Sequence, residues 1–136
     1  MAQIPIGARA ELHLLVTGEY AVDFLGDDAA RVLATPFLIG HLELAARDAV
    51  KPHLDKGLDT VGTRVDLRHL AATPLGMGVT CHAEVTAVDG RKVMFRVWAE
   101  DEQETVAEGT HERFIIDVRR FAERVTAKAR RAEDGS

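Results

Sequence analysis

The chain has 136 residues, 46% hydrophobic and 29% charged, with 17 basic against 22 acidic side chains and a formal net charge of −5. This balance fits one globular domain, residues 1–136, with a real core, and it argues against nucleic acid as a partner, since phosphate recognition needs a basic face. Cys81 is the only cysteine, so no intramolecular disulfide can form, as expected in a reducing cytoplasm, and no apolar run approaches the ~20 residues of a membrane-spanning helix.

The opening "MAQIPIGARAELHLLVTG" has no apolar segment after basic residues, so no secretory signal is expected. "AELHLLVTG" alternates as a first strand near residues 9 to 17. "EYAVDFLGDDAARVL" is mixed and turn-rich and reads as a loop or lid with one short helix. Thr35 then serves as a helix N-cap, with Pro36 at the first helical position, and the helix "TPFLIGHLELAARDAV" runs to Val50 before Pro52 and Gly57 stop it.

Beyond it the period changes. "DTVGTRVDLRHLA" reads as a strand with Val61, Thr63, Val65, Leu67 and His69 on one side. "MGVTCHAEVTAV" follows, then a tight turn at Asp89–Gly90, then "RKVMFRVWAED" and "ETVAEGTHERFIID". "VRRFAERVTAKARR" is an amphipathic closing helix, with Val118, Phe121, Val125 and Ala129 on one stripe, and the tail after about residue 130 is expected to fray. One apolar helix followed by long meandering strands predicts an α+β fold, an antiparallel sheet wrapped around that helix.

Polar residues interrupt this pattern. Ile39, Glu43, Ala46 and Val50 share one helix face, so Glu43 sits in an apolar line. A carboxylate there is either solvated and paired with Arg47 at i+4, or held at a cleft for acid–base or nucleophilic work. His69 alternates with apolar residues and reads as a boundary histidine or a proton shuttle. His13 and His82 look outward, His53 lies in a turn, His111 stands near Arg113, and Cys81 reads as packing. No HExxH, paired CxxC, P-loop or GxGxxG pattern occurs, so no metal site and no resident cofactor are expected.

Three segments together resemble the hotdog-fold thioesterases of the fluoroacetyl-CoA thioesterase type. "ATPFLIGHLELAARDAV" is similar to that family's central helix, with Thr35 at its start and Glu43 eight residues on; "VGTRVDLRHLAATPLGMGVTCHAEV" supplies Gly62 and then His69, 26 positions after Glu43; "AEGTHERFIID" is similar to its last strand. The resemblance spans about residues 10 to 125 and implies a hotdog fold. It implies Thr35, Glu43 and His69 as a catalytic triad, Gly62 as a backbone contact for the thioester carbonyl, and Arg113 beside the substrate channel. It also implies an acyl-CoA thioesterase, a homodimer with its active site between subunits, and coenzyme A as part of the substrate. The type enzyme carries a Phe six positions before its Thr, where this chain has Ala29, a departure that puts fluoroacetyl-CoA in question as the substrate but not thioester chemistry. Phe24 is the nearby aromatic. On the same fold a hydratase or dehydratase of acyl thioesters, or a non-catalytic acyl-CoA binding module, could use the same residues.

Overall fold

A computed structural model describes residues 3–135. Its elements are β1 (Arg9–Leu15), α1 (Thr35–Val50), β2 (Leu58–His69), β3 (Gly78–Asp89), β4 (Lys92–Asp101), β5 (Thr105–Asp117) and α2 (Val118–Glu133), with three short 3-10 turns at Gly18–Tyr20, Asp28–Ala30 and Lys51–His53. The strands form one antiparallel sheet in the order β1-β3-β4-β5-β2. The fold is thus the expected antiparallel sheet around one long helix. β2, twelve residues long, stands at an edge with β5 as its neighbour.

The sheet closes over α1 because the helix presents an apolar stripe at helical spacing. Leu38, Leu42, Ala45, Ala46, Ala49 and Val50 are buried, in one core with Leu14, Cys81, Ala83, Phe95, Val97 and Ile115. Three alanines on that stripe let the strands come close, and each fully buried Val or Leu adds about 1.5–3 kcal/mol. Cys81 packs as expected: burial pushes its thiol up to about 12, so it stays protonated and inert.

Two local readings need correction. The β3–β4 turn comprises Gly90 and Arg91, because Asp89 pairs with Lys92. Gly90 alone takes the positive φ (+61°), as the first central residue of a primed hairpin turn does. The β2 register shifts between Gly62 and Arg64, so Thr63 bulges out of the ladder. Thr60, Gly62, Val65, Leu67 and His69 lie opposite Ile115, Arg113, His111, Gly109 and Ala107, and so share the helix-facing side. Val61 pairs with exposed Phe114, and the Thr63 hydroxyl bonds Glu112, so both lie on the other side. A single extra residue defeats an argument from alternation.

α2 is capped by Asp117, whose carboxylate accepts the Arg120 N–H at 3.1 Å. It runs to Glu133, past the point where the tail is expected to fray, and buries none of its residues. Its apolar stripe, including Val118 and Val125, faces solvent. Among the described residues no helix is long and apolar enough to cross a membrane.

Candidate active site at the start and middle of the central helix

The first turn of α1 departs from expectation in a way that matters chemically. The Ala34 carbonyl accepts the N–H groups of Phe37 (3.1 Å) and Leu38 (3.2 Å), which makes Ala34 the N-cap. Thr35 is therefore the first helical residue and Pro36 the second, and the Thr35 hydroxyl does not cap the helix. It lies 2.7 Å from His69 Nδ1. His69 ends β2 opposite Ala107, so strand register carries the ring to the helix start. Burial pushes the imidazole below its ordinary value of 6.5, with the Ala71 backbone opposing. The other ring nitrogen, Nε2, is buried and has no hydrogen-bond partner among the described residues. An unsatisfied buried polar atom calls for an explanation. Here it is the second nitrogen of the imidazole, able to accept a hydrogen bond or donate one according to which way the Thr35 hydroxyl is turned.

Glu43 stands two turns along α1, about 12 Å from Thr35 by helix rise. It does not pair with Arg47. That guanidinium grips Asp59 through two hydrogen bonds of 2.9 and 2.7 Å, which hold the Asp59 carboxyl down at about 2. The cation beside Glu43 is Arg113, with Nη1 3.7 Å from Glu43 Oε2. Arg113 reaches across from β5 over Gly62, its partner on β2. A Cβ at Gly62 would lie 3.1 Å from Glu43 Oε2 and 3.5 Å from Arg113 Nη1, so glycine there makes room for the pair. Arg113 is buried and donates from Nε to the Thr60 hydroxyl (2.7 Å), from Nη2 to the Thr60 carbonyl (2.8 Å) and from Nη1 to His111 Nε2 (3.3 Å). Burial lowers its pKa and the Glu43 carboxylate raises it; a guanidinium keeps its proton all the same.

The five predicted residues thus fall into two groups. Thr35 touches His69; Glu43, Gly62 and Arg113 meet one another further along the helix. Within one chain the groups lie apart along the α1 axis. Two partners, Thr60 and Tyr20, escaped the reading of the sequence, and His111 was noted only for standing near Arg113. Thr60 and His111 hold Arg113; the bond to His111 follows from its standing two residues before Arg113 on the same strand face. Tyr20 packs edge-on against Phe37 and His41, with ring centroids 5.2 and 5.3 Å apart, over the start of α1.

The segment before α1 covers that end of the site. It is tied down by the Ala34 N–H on the Tyr20 carbonyl (2.8 Å) and the Leu33 N–H on the Thr73 carbonyl (2.9 Å). Ala29 sits in the second short turn, whose Asp27 carboxylate accepts the Ala29 N–H. Phe24 is 78% exposed. Among the described residues no group of three or more His, Cys, Asp or Glu side chains could hold a metal ion.

Residues 16–119 match the family model described as fluoroacetyl-CoA-specific thioesterase. A fluoroacetyl-CoA thioesterase from Streptantibioticus cattleyicolor is 40% identical over 97 residues, covering 71% of this chain and 70% of that protein. Among solved structures, fluoroacetyl-CoA thioesterase FlK superposes with a TM-score of 0.83 at 33% identity, over 93% of this chain and 98% of that one. A Thermus thermophilus member of the thioesterase superfamily superposes with a TM-score of 0.87 at 29% identity over the whole of both chains. FlK variants have been solved with fluoroacetate and CoA and with acetyl-CoA. With the helix, the sheet and the match over most of its length in agreement, the chain belongs to the fluoroacetyl-CoA-specific thioesterase family.

Proposed function

We propose that the chain hydrolyses a small acyl-CoA thioester to the free acid and coenzyme A, with Thr35, Glu43 and His69 as its reacting groups and Gly62 and Arg113 beside the substrate. Thioester hydrolysis by a member of this family follows from its relatives; the assignment of roles rests on the family resemblance and is supported by this chain's geometry. The observation that carries it is the Thr35–His69 bond with its buried, unused Nε2. Water, the Glu43 carboxylate or the Thr35 hydroxyl attacks the carbonyl carbon; attack by either side chain expels the thiolate to give an acyl-enzyme, which water then hydrolyses to the free acid. Where water attacks, Glu43 or His69 takes its proton, the C–S bond breaks, and the group that took the proton gives it to the departing thiolate. The Gly62 N–H and donors at the α1 start stabilise the oxyanion. Coenzyme A enters and leaves as part of the substrate, and the reaction calls for no resident cofactor. With one buried, unpaired cysteine, the reading places the protein in the cytoplasm.

The reading includes a homodimer, because it needs the two groups of residues in one cleft. The free edge of β2 offers the means. With Thr63 bulged out, Gly62 and Val65 share the inner face. Pairing β2 with its copy about a two-fold axis at Asp66 would then set Gly62 opposite the partner's His69. Asp66 of the two copies would face each other at a Cα separation of about 4.5–5.5 Å, within disulfide reach. Asp66→Cys is therefore expected to yield a covalent dimer on mild oxidation, seen on a non-reducing gel, since Cys81 is buried and cannot compete. A monomeric band alone would remove this register.

Thiol release from a panel of acyl-CoA thioesters, short to long and plain to halogenated, tests the chemistry. Release that favours one acyl class and falls at least about a hundredfold in Glu43→Ala is expected. A change in enoyl absorbance without free thiol would make the chain a hydratase, and binding without either product would make it a binding module.

A further inference from the structure

Arg113 is the most heavily bonded side chain of the site. Its Nε, Nη1 and Nη2 meet Thr60 and His111, while Nη1 also faces Glu43. His111 is the partner whose purpose needs explaining. It is buried on the inner face of β5, with its ring stacked on Phe95 at 5.7 Å, and it touches neither the lid nor Thr35 and His69 through any hydrogen bond found. Its Nδ1 lies 2.8 Å from the Arg64 carbonyl and its Nε2 lies 3.3 Å from Arg113 Nη1. A carbonyl can only accept and a guanidinium can only donate. The ring that satisfies both is a neutral imidazole with its proton on Nδ1 and a bare lone pair on Nε2. The bulge supplies the other half of the arrangement. Arg64 is its closing residue, and a bulge disrupts the local ladder, which leaves a backbone carbonyl open to a side chain. A Cβ at Gly62 would lie 3.3 Å from His111 Cε1, so the same glycine that admits the Glu43–Arg113 pair also admits this ring.

We propose that His111 is a positioning residue for Glu43. Locked by the Arg64 carbonyl, it draws one Nη1 hydrogen of Arg113 to itself and so fixes the plane of the guanidinium, whose remaining Nη1 hydrogen is then directed at Glu43. The carboxylate is thereby oriented at the cleft. This also gives Arg113 a role different from a substrate contact: it acts on the reaction through Glu43. The proposal rests on the reading of Glu43 as a reacting group.

The test pairs two variants with wild type in the thiol-release assay. His111→Phe keeps a ring against Phe95 and removes both hydrogen bonds. His111→Gln keeps a neutral side chain with one acceptor and donors. For folded protein, kcat in His111→Phe is expected to fall about ten- to a hundredfold, as when a hydrogen bond to a charged group is lost. KM should stay within about twofold, and His111→Gln should recover most of the loss. The ring tautomer is read separately by nitrogen NMR of the wild-type protein, with Nδ1 protonated and Nε2 bare at neutral pH. The opposite tautomer or an imidazolium would overturn the proposal. So would undiminished kcat in His111→Phe, or a rise in KM alone. An absence of thiol release from every acyl-CoA by wild-type protein would instead overturn the thioesterase reading, and this proposal with it.

Discussion

Gly109→Ala is expected to leave little folded protein. Gly109 lies in β5 opposite Leu67 of β2 and Val97 of β4. A Cβ built there would stand 2.0 Å from the Asp66 carbonyl oxygen and 2.9 Å from the Leu67 Cα. Both are backbone atoms, and no rotamer change can move them. β2 would have to shift away from β5 along its length, opening the ladder that places Gly62 and His69. Substitutions that force such a rearrangement belong to the exceptional class of more than about 4 kcal/mol, against a total of roughly 5–15 kcal/mol for an ordinary domain. Gly62→Ala is the informative contrast. Its Cβ would meet only side-chain atoms, Glu43 Oε2 at 3.1 Å and His111 Cε1 at 3.3 Å. That variant should fold and melt near wild type while losing turnover, because the carboxylate moves aside. Thermal melts of both, followed by circular dichroism, check the pair. A Gly109→Ala protein with a wild-type melt would show that the strands do not approach as closely as described.

The same stretch of β2 marks where the sequence was readable and where it was not. The helix from Thr35 to Val50 and the four strands after it follow from period and punctuation, because burial against one sheet imposes a 3.6 repeat on the helix and a 2 repeat on the strands. The bulge at Thr63 was not readable. It changes which residues share a face without changing composition, and only the pairing with Glu112 and Arg113 reveals it. Long-range partners were equally hidden. Local spacing offered Arg47 to Glu43, yet Arg47 serves Asp59 and the carboxylate meets Arg113, seventy residues on. Thr35 and His69 were chosen by family resemblance; residue type alone favoured a cap for the first and a boundary position for the second. The structure explains why the cap reading fails: the Ala34 carbonyl begins the helix one residue earlier, so Thr35 is free to face His69.

That freedom gives a second large effect with a distinct signature. His69→Ala is expected to lower kcat by about 10²–10⁴, the range associated with a positioned proton-transfer group. Thr35→Val removes the hydroxyl and keeps the side-chain shape. If Thr35 capped the helix, that change would cost about 0.5–2 kcal/mol and lower the melting temperature by several degrees. With Ala34 as the cap, the melt should hold while kcat falls, and Thr35→Ser should restore turnover. The pH profile carries the sign of the His69 environment. Burial disfavours the imidazolium, so the neutral ring persists below pH 6.5. For a His69 that works in its neutral form, kcat/KM should rise with pH along an acid limb whose midpoint lies below 6.5, and level off above it. Stability shifts in the same direction. His69 and His111 both have folded pKa values below the unfolded one, so the unfolded chain binds protons first. Their contribution is complete above pH 6.5 and is lost as pH falls through the lowered values. Rates must therefore be read beside a melt at each pH. A limb centred above 6.5 in fully folded protein would mean that another group controls the reaction, and a limb that survives in His69→Ala would remove His69 from its role.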